Sequence, residues 1–131
     1  MKFILNIPTW RSGGLPEERP VEILGEGDIE LGNTLGYSCC LGQFCRQLGV
    51  DEKDLTGVAM PMSLPTEIIS ANKALSIFVE KSPLEINVYE CTDLAMRAAG
   101  INDDTDLTVE ERIEALQDLF HLSGHEIEVA R

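Results

Sequence analysis

Four cysteines, two histidines, several carboxylate clusters and two helix-end arginines are the residues of this sequence that could do chemistry. Cys39, Cys40 and Cys45 lie close together, and Cys91 is remote. Zinc takes four convergent ligands, commonly from Cys-x2–4-Cys pairs or from Cys with His. Adjacent residues on a helix point about 100° apart, so the CC-x4-C spacing is not a zinc pattern, and reduced packing thiols are the simpler assignment. A nucleophilic Cys–His pair would need a thiol of depressed pKa aligned with His121 or His125. No local signature brings such a pair together. His121 falls in the last turn of a predicted helix, where the dipole favours a cation, and His125 follows a cap glycine.

The carboxylates Asp103, Asp104 and Asp106, followed by Glu110, Glu111 and Glu114, could in principle converge on a divalent metal. Their spacing instead starts and decorates an amphipathic helix. The Asp103-Asp104-Thr105-Asp106 run lacks the position-6 glycine and in-register terminal Glu of a calcium loop. No Walker motif or dinucleotide fingerprint occurs, and Gly25-x-Gly27 sits in an acidic turn with no phosphate-facing helix after it. Arg46 and Arg97 occupy matching places in a faint internal echo, residues 40–51 against 91–102, each three before a glycine. Shared helix-ending grammar accounts for the echo. Turned toward one cleft, the two arginines could hold a phosphate or carboxylate bidentately. With Trp10, Arg11 and Tyr37 they form the candidate ligand-binding set.

These side chains belong to a chain of 131 residues, a length that suits one domain with one core. A hydrophobic content of 44% places it among globular proteins. The formal net charge of -13, from 23 acidic and 10 basic side chains, disfavours direct binding to nucleic acid or to an anionic membrane. It suits a basic protein partner, or solubility alone. No run approaches the roughly 18 apolar residues of a membrane span, and the first seven residues read as a strand rather than a leader.

The elements that would position the candidates follow from periodicity. Residues 2–7 alternate as a first strand ended by Pro8, and residues 9–20 form a loop in which Trp10-Arg11 either folds over the core or stays exposed. Residues 21–24 and 28–31 suggest a hairpin. Glu17, Glu18, Glu22, Glu26, Asp28 and Glu30 make this region anionic, and with Asp103, Asp104 and Asp106 they form the candidate protein-binding set. A helix is expected over 38–48, with Leu41, Phe44, Cys45 and Leu48 on one face and Gly49 as its left-handed cap. A helical turn is expected over 51–55 and irregular chain over 60–65. Residues 66–69 could open a helix, and the alternation of Leu75, Ile77 and Val79 suggests a strand. Asn87 and Glu90 read as a capping box for a helix closed by Gly100. Thr108 and Glu111 open a further helix that stops at Gly124, and residues 126–130 alternate as a last strand. The fold expected is α+β: a single small two-layer domain over 1–131, with about three helices packed on an antiparallel or mixed sheet that contains both terminal strands.

The stretch Leu35-Gly36-Tyr37-Ser38-Cys39-Cys40-Leu41-Gly42-Gln43-Phe44 resembles a family of short proteins of uncharacterised function encoded by bacteriophages and prophages. The Met1-Lys2-Phe3 start, the Trp10-Arg11 pair, Ile101-Asn102-Asp103 and the run from Gly124 to Glu128 resemble the same family, so the likeness spans nearly the whole chain. Residues 60–83 look more variable than their flanks. The resemblance implies a non-virion accessory protein in the cytoplasm of an infected bacterium.

Three functions stand side by side. The first is a non-enzymatic binder, without cofactor, that modulates a basic host protein, such as a defence or nucleic-acid-processing factor. Its extreme form is a DNA mimic, which requires two long acidic rows. The second is a sponge for a small anionic nucleotide messenger, held by Arg46, Arg97, Arg11 or Lys73 beside Trp10 or Tyr37. The third is a small hydrolase, to which the absence of an assembled motif gives the least support.

Overall fold

In the computed structural model Lys2–Asn6 forms strand β1, with Phe3 and Leu5 buried and Lys2, Ile4 and Asn6 exposed, as period-2 alternation dictates. The structure describes residues 1–10, 38–56, 58, 60–81, 89–91 and 93–131, with 80–81 and 89–91 described by their backbone alone. A 3-10 turn, Ile7–Thr9, ends the strand at Pro8. The further elements are helix α1 (Cys40–Gln47), the single-turn α2 (Glu52–Leu55), α3 (Thr66–Ala71), β2 (Val79–Lys81), β3 (Tyr89–Cys91), α4 (Asp93–Asn102), α5 (Val109–Leu122) and β4 (Glu126–Ala130).

The protein is α+β, and the first and last strands pair as expected, but in a parallel ladder. Lys2 stands opposite Glu126 and Asn6 opposite Ala130. The expected antiparallel or mixed sheet is thus corrected to a two-stranded parallel one, and β2 and β3 form a separate antiparallel pair. Parallel strands need a crossover, and here everything between β1 and β4 supplies it. Among the described residues five α-helices stand where about three were expected, because the short turns at 52–55 and 66–71 close full helical hydrogen bonds.

Three boundaries also differ from expectation. Tyr89–Cys91 is a strand paired with β2, so the helix expected from Asn87 starts at Asp93, and Asn87 itself lies outside the described residues. That helix runs through Gly100 to Asn102. The expected strand over 75–79 is a 3-10 segment, Lys73–Ile77, led by the Asn72 side chain, which accepts from the Ala74 N–H. Strand geometry begins only at Val79.

Helix ends follow local grammar. Gly49 and Gly124 take φ of +106° and +84°. Val50 N–H donates to the Cys45 carbonyl and His125 N–H to that of Phe120, so α1 and α5 both stop in Schellman motifs. Thr108 and Glu111 make the reciprocal capping box that starts α5.

The core gathers on the inner face of the β1–β4 ribbon. Phe3 from β1, Phe44 from α1, Phe78 ahead of β2 and Phe120 from α5, all the phenylalanines of the chain, are fully buried together. Ring centroids lie 4.8 Å apart for Phe3–Phe44, 5.2 Å for Phe44–Phe120 and 5.7 Å for Phe3–Phe120, within the range of favourable tilted and edge contacts. Residues Cys40 to Cys45 are all buried, not only one stripe, because α1 is flanked by β1 on one side and α4 on the other.

Candidate functional site

The thiols are held in the interior. Cys39, Cys40 and Cys45 are reduced and buried. Burial pushes the Cys40 thiol far up, with Cys39 and Asp103 adding to it, and burial likewise raises Cys45. A reactive or metal-binding cysteine needs the opposite shift. Cys40 Sγ lies 3.9 Å from the Ala98 carbonyl, where it packs α1 against α4. Among the described residues no three His, Cys, Asp or Glu side chains come together as metal ligands.

His121 is exposed at the end of α5. His125 is half-buried, its ring set edge-on to Phe3 and Phe120 at centroid distances of 6.0 and 6.5 Å. Burial, with a smaller contribution from the N-terminal ammonium, holds its pKa below the ordinary 6.5. The ring is therefore neutral at pH 7 and serves as an edge of the aromatic core.

Trp10 folds inward. It is fully buried, and its indole N–H donates to Asn102 Oδ1 at 2.7 Å. The same oxygen accepts the Cys40 N–H at 3.0 Å, one of the amide groups that a helix N-terminus leaves without an intrahelical partner. Cys39, the residue before α1, makes no side-chain cap, and Asn102 at the far end of α4 takes that role. Asn102 Nδ2 donates to Asp103 Oδ1 at 3.0 Å.

The neighbouring acids are used locally as well. Asp104 Oδ1 accepts the Asp106 N–H at 2.9 Å, and the Asp104 carbonyl accepts Nε of the fully buried Arg112 at 2.7 Å. Asp103 and Asp104 thus shape the α4–α5 turn, and of the three only Asp106 is fully exposed. Arg46 is exposed, 3.9 Å from Glu52, and lines a cleft of about 320 Å³ with Ile4, Asn6, Thr9, Gln43 and Gln47. Arg97 is exposed on α4 and does not line that cleft. Arg11, Tyr37, Glu17, Glu18, Glu22, Glu26, Asp28 and Glu30, with the expected hairpin, lie outside the described residues.

The edges of the β1–β4 ribbon carry groups that no motif announced. Ile4 N–H donates to Gln47 Oε1 at 2.7 Å, and Gln47 Nε2 donates to the Ile4 carbonyl at 2.6 Å. Two residues along, Asn6 N–H donates to Gln43 Oε1 at 2.7 Å, and Gln43 Nε2 donates to the Asn6 carbonyl at 2.9 Å. Two primary amides, one helical turn apart on α1, therefore stand where the peptide groups of a neighbouring strand would stand. The sequence signal was Gln at i and i+4 on a helix that follows a strand, which is weak without the tertiary placement.

An acidic face adjoins the other edge. Glu110, Glu114 and Asp118 are exposed on α5 at i, i+4, i+8, and Glu126 and Glu128 are exposed on β4. Arg131 Nη2 donates to Glu110 at 2.8 Å and holds that carboxyl below its usual range; Lys2 lies 3.4 Å from Glu128. Helix and strand therefore run alongside each other, with Gln117 Nε2 donating to the Ile127 carbonyl between them at 3.3 Å. The basic side chains among these acids weaken the DNA-mimic version, which needs uninterrupted acidic rows.

No helix among the described residues is long and apolar enough to cross a membrane. Comparison with family models, with curated proteins and with solved structures finds no match to this chain.

Proposed function

We propose that this chain is a non-enzymatic binding protein whose acidic surface docks on a basic protein, in the setting of a phage accessory factor acting on a bacterial host protein in the host cytoplasm. The observation that carries it is the acidic face of α5 and β4: Glu114, Asp118 and Glu126 are exposed and have no described ion pair. A face of this sign, on a chain of net charge -13, accelerates encounter with a cationic surface and disfavours anionic partners. The buried, raised thiols add support, since a thiol held protonated does not suit nucleophilic chemistry. The likeness at Gly36-Tyr37-x-Cys39-Cys40-Leu41-Gly42 supports the phage setting.

The test is affinity capture from bacteria that express the chain, identification of the bound protein, and titration of the two purified components across a salt series. Binding should weaken steeply with salt and fall at least tenfold in a Glu114→Lys, Asp118→Lys, Glu126→Lys triple variant. A partner bound equally by that variant, or binding indifferent to salt, would sink the proposal.

A further inference from the structure

The two edges of the β1–β4 ribbon are finished differently. Alternate residues of a parallel strand turn their peptide groups to opposite sides. Glu126 N–H donates to the Met1 carbonyl at 2.9 Å, so the even-numbered residues of β4 face β1, and Ile127 and Val129 turn their N–H and C=O groups outward. On β1 the outward groups of Ile4 and Asn6 are each doubly bonded by a glutamine amide. On β4 only the Ile127 carbonyl is met, by Gln117 at 3.3 Å. The two outward N–H groups and the Val129 carbonyl have no partner among the described residues. An open row of this kind is a template for another strand.

There is room beside it. A crevice of about 290 Å³, walled by Gln117, Asp118 and His121 of α5 and by His125, Glu126 and Ile127, opens at the N-terminal end of this edge. The pleat fixes what fits. Ile127 is buried and Val129 half-buried on the core side, while Glu126 and Glu128 point to solvent. An added strand therefore meets an apolar inner row and an acidic outer row, with the α5 carboxylates close by.

A second copy of this chain fits poorly. Antiparallel self-pairing centred on Glu128 sets the two Glu128 side chains opposite each other, and centring on Ile127 sets Glu126 opposite Glu128; only the shorter register centred on Val129, which sets Glu128 opposite Ala130, avoids such a pair. Like charges directly opposite are destabilising.

We infer that the outer edge of β4 is a strand-addition site for an extended segment of a partner protein that alternates apolar residues with Lys or Arg. The apolar residues would extend the Ile127–Val129 row, and the basic ones would lie across from Glu126 and Glu128. This rests on the basic-partner proposal and specifies its docking mode.

The test uses the full chain and two capped eight-residue probes of equal charge. One alternates Val and Lys; the other has its central valines replaced by Pro, which cannot donate to a ladder. The alternating peptide should bind at least tenfold more tightly and should slow hydrogen exchange at the Ile127 and Val129 amides. Val129→Pro removes an outward N–H only, a position where an edge strand tolerates proline, and should abolish that preference; circular dichroism and Trp10 fluorescence report whether this variant folds. Glu126→Lys with Glu128→Lys, both at exposed positions, provides a second variant and should weaken the alternating peptide at least tenfold. Equal binding of both peptides would overturn strand addition while leaving the acidic-surface proposal intact. Binding of neither would overturn both at this face. Self-association of the free chain that Val129→Pro abolishes would overturn the choice of occupant.

Discussion

Gln47 holds both backbone polar groups of Ile4, accepting from its N–H at 2.7 Å and donating to its carbonyl at 2.6 Å. With Gln43 repeating the arrangement at Asn6, a helix supplies what a third strand would supply, and the edge of β1 is closed without one.

Removing these amides should therefore unmask the edge. Gln47→Ala, at an exposed site where water can replace the amide, should cost about 1 kcal/mol; Gln43→Ala, in the interior, about 2 kcal/mol. Urea denaturation measures both. The double variant should also self-associate, seen as a concentration-dependent sedimentation coefficient, and a double variant that stays monomeric would show that the glutamines are not protecting this edge.

Asn102 is the second polar joint. Asn102→Leu strands the Trp10 indole N–H and the Cys40 N–H at once, and each unsatisfied buried donor costs about 1–3 kcal/mol. Since Trp10 is the chain's one tryptophan, its emission reports the change directly. The variant should unfold at lower urea, with a red-shifted native spectrum. Wild-type stability and emission would contradict the role given to Asn102.

His125 makes a pH prediction whose sign follows from its lowered pKa. The unfolded chain takes up a proton at the ordinary value of 6.5, before the folded chain does. Stability from the neutral ring is thus fully present above that pH and declines as pH falls below it toward the folded value. Subtracting the stability profile of His125→Gln from that of wild type between pH 5 and 8 should isolate this slope. A flat difference would remove His125 as its source.

The thiols offer a kinetic check. Because burial disfavours the thiolates of Cys40 and Cys45, both should resist a disulfide reagent in the folded chain and react at once in denaturant. Rapid labelling of either under native conditions would reopen nucleophilic chemistry.

Much of this molecule could be read locally. The Thr108–Glu111 box, the stops at Gly49 and Gly124, and the alternation of both terminal strands depend on neighbours within a few residues, and the structure shows each of them. Strand direction was not legible, because alternation says nothing about which way a partner runs. The Asn87 box competed with a strand at Tyr89–Cys91, where pairing with β2 settles the geometry. Candidate sites fared differently again. Trp10 stood open between core and surface, and Asp103 counted as a docking acid, because sequence does not reveal that Asn102, 92 positions from Trp10, bonds to both. Gln43 and Gln47 carry no sequence signal of their role, because an amide closes a strand edge only where the fold sets one beside it.

The parallel pairing of β1 with β4 has a consequence for the order of assembly. As the chain leaves the ribosome, β1 appears first and its true strand partner last, so the ribbon cannot close by local zippering and must pay a long-loop entropy. Gln43 and Gln47 arrive far earlier, at separations of 37 and 43 residues from their bonds on β1. The first strand can thus be docked on its helix along one side while the other side waits. The late step of folding should then be the arrival of α5 and β4, and a chain stalled before Glu126 would present β1 with its inner edge bare.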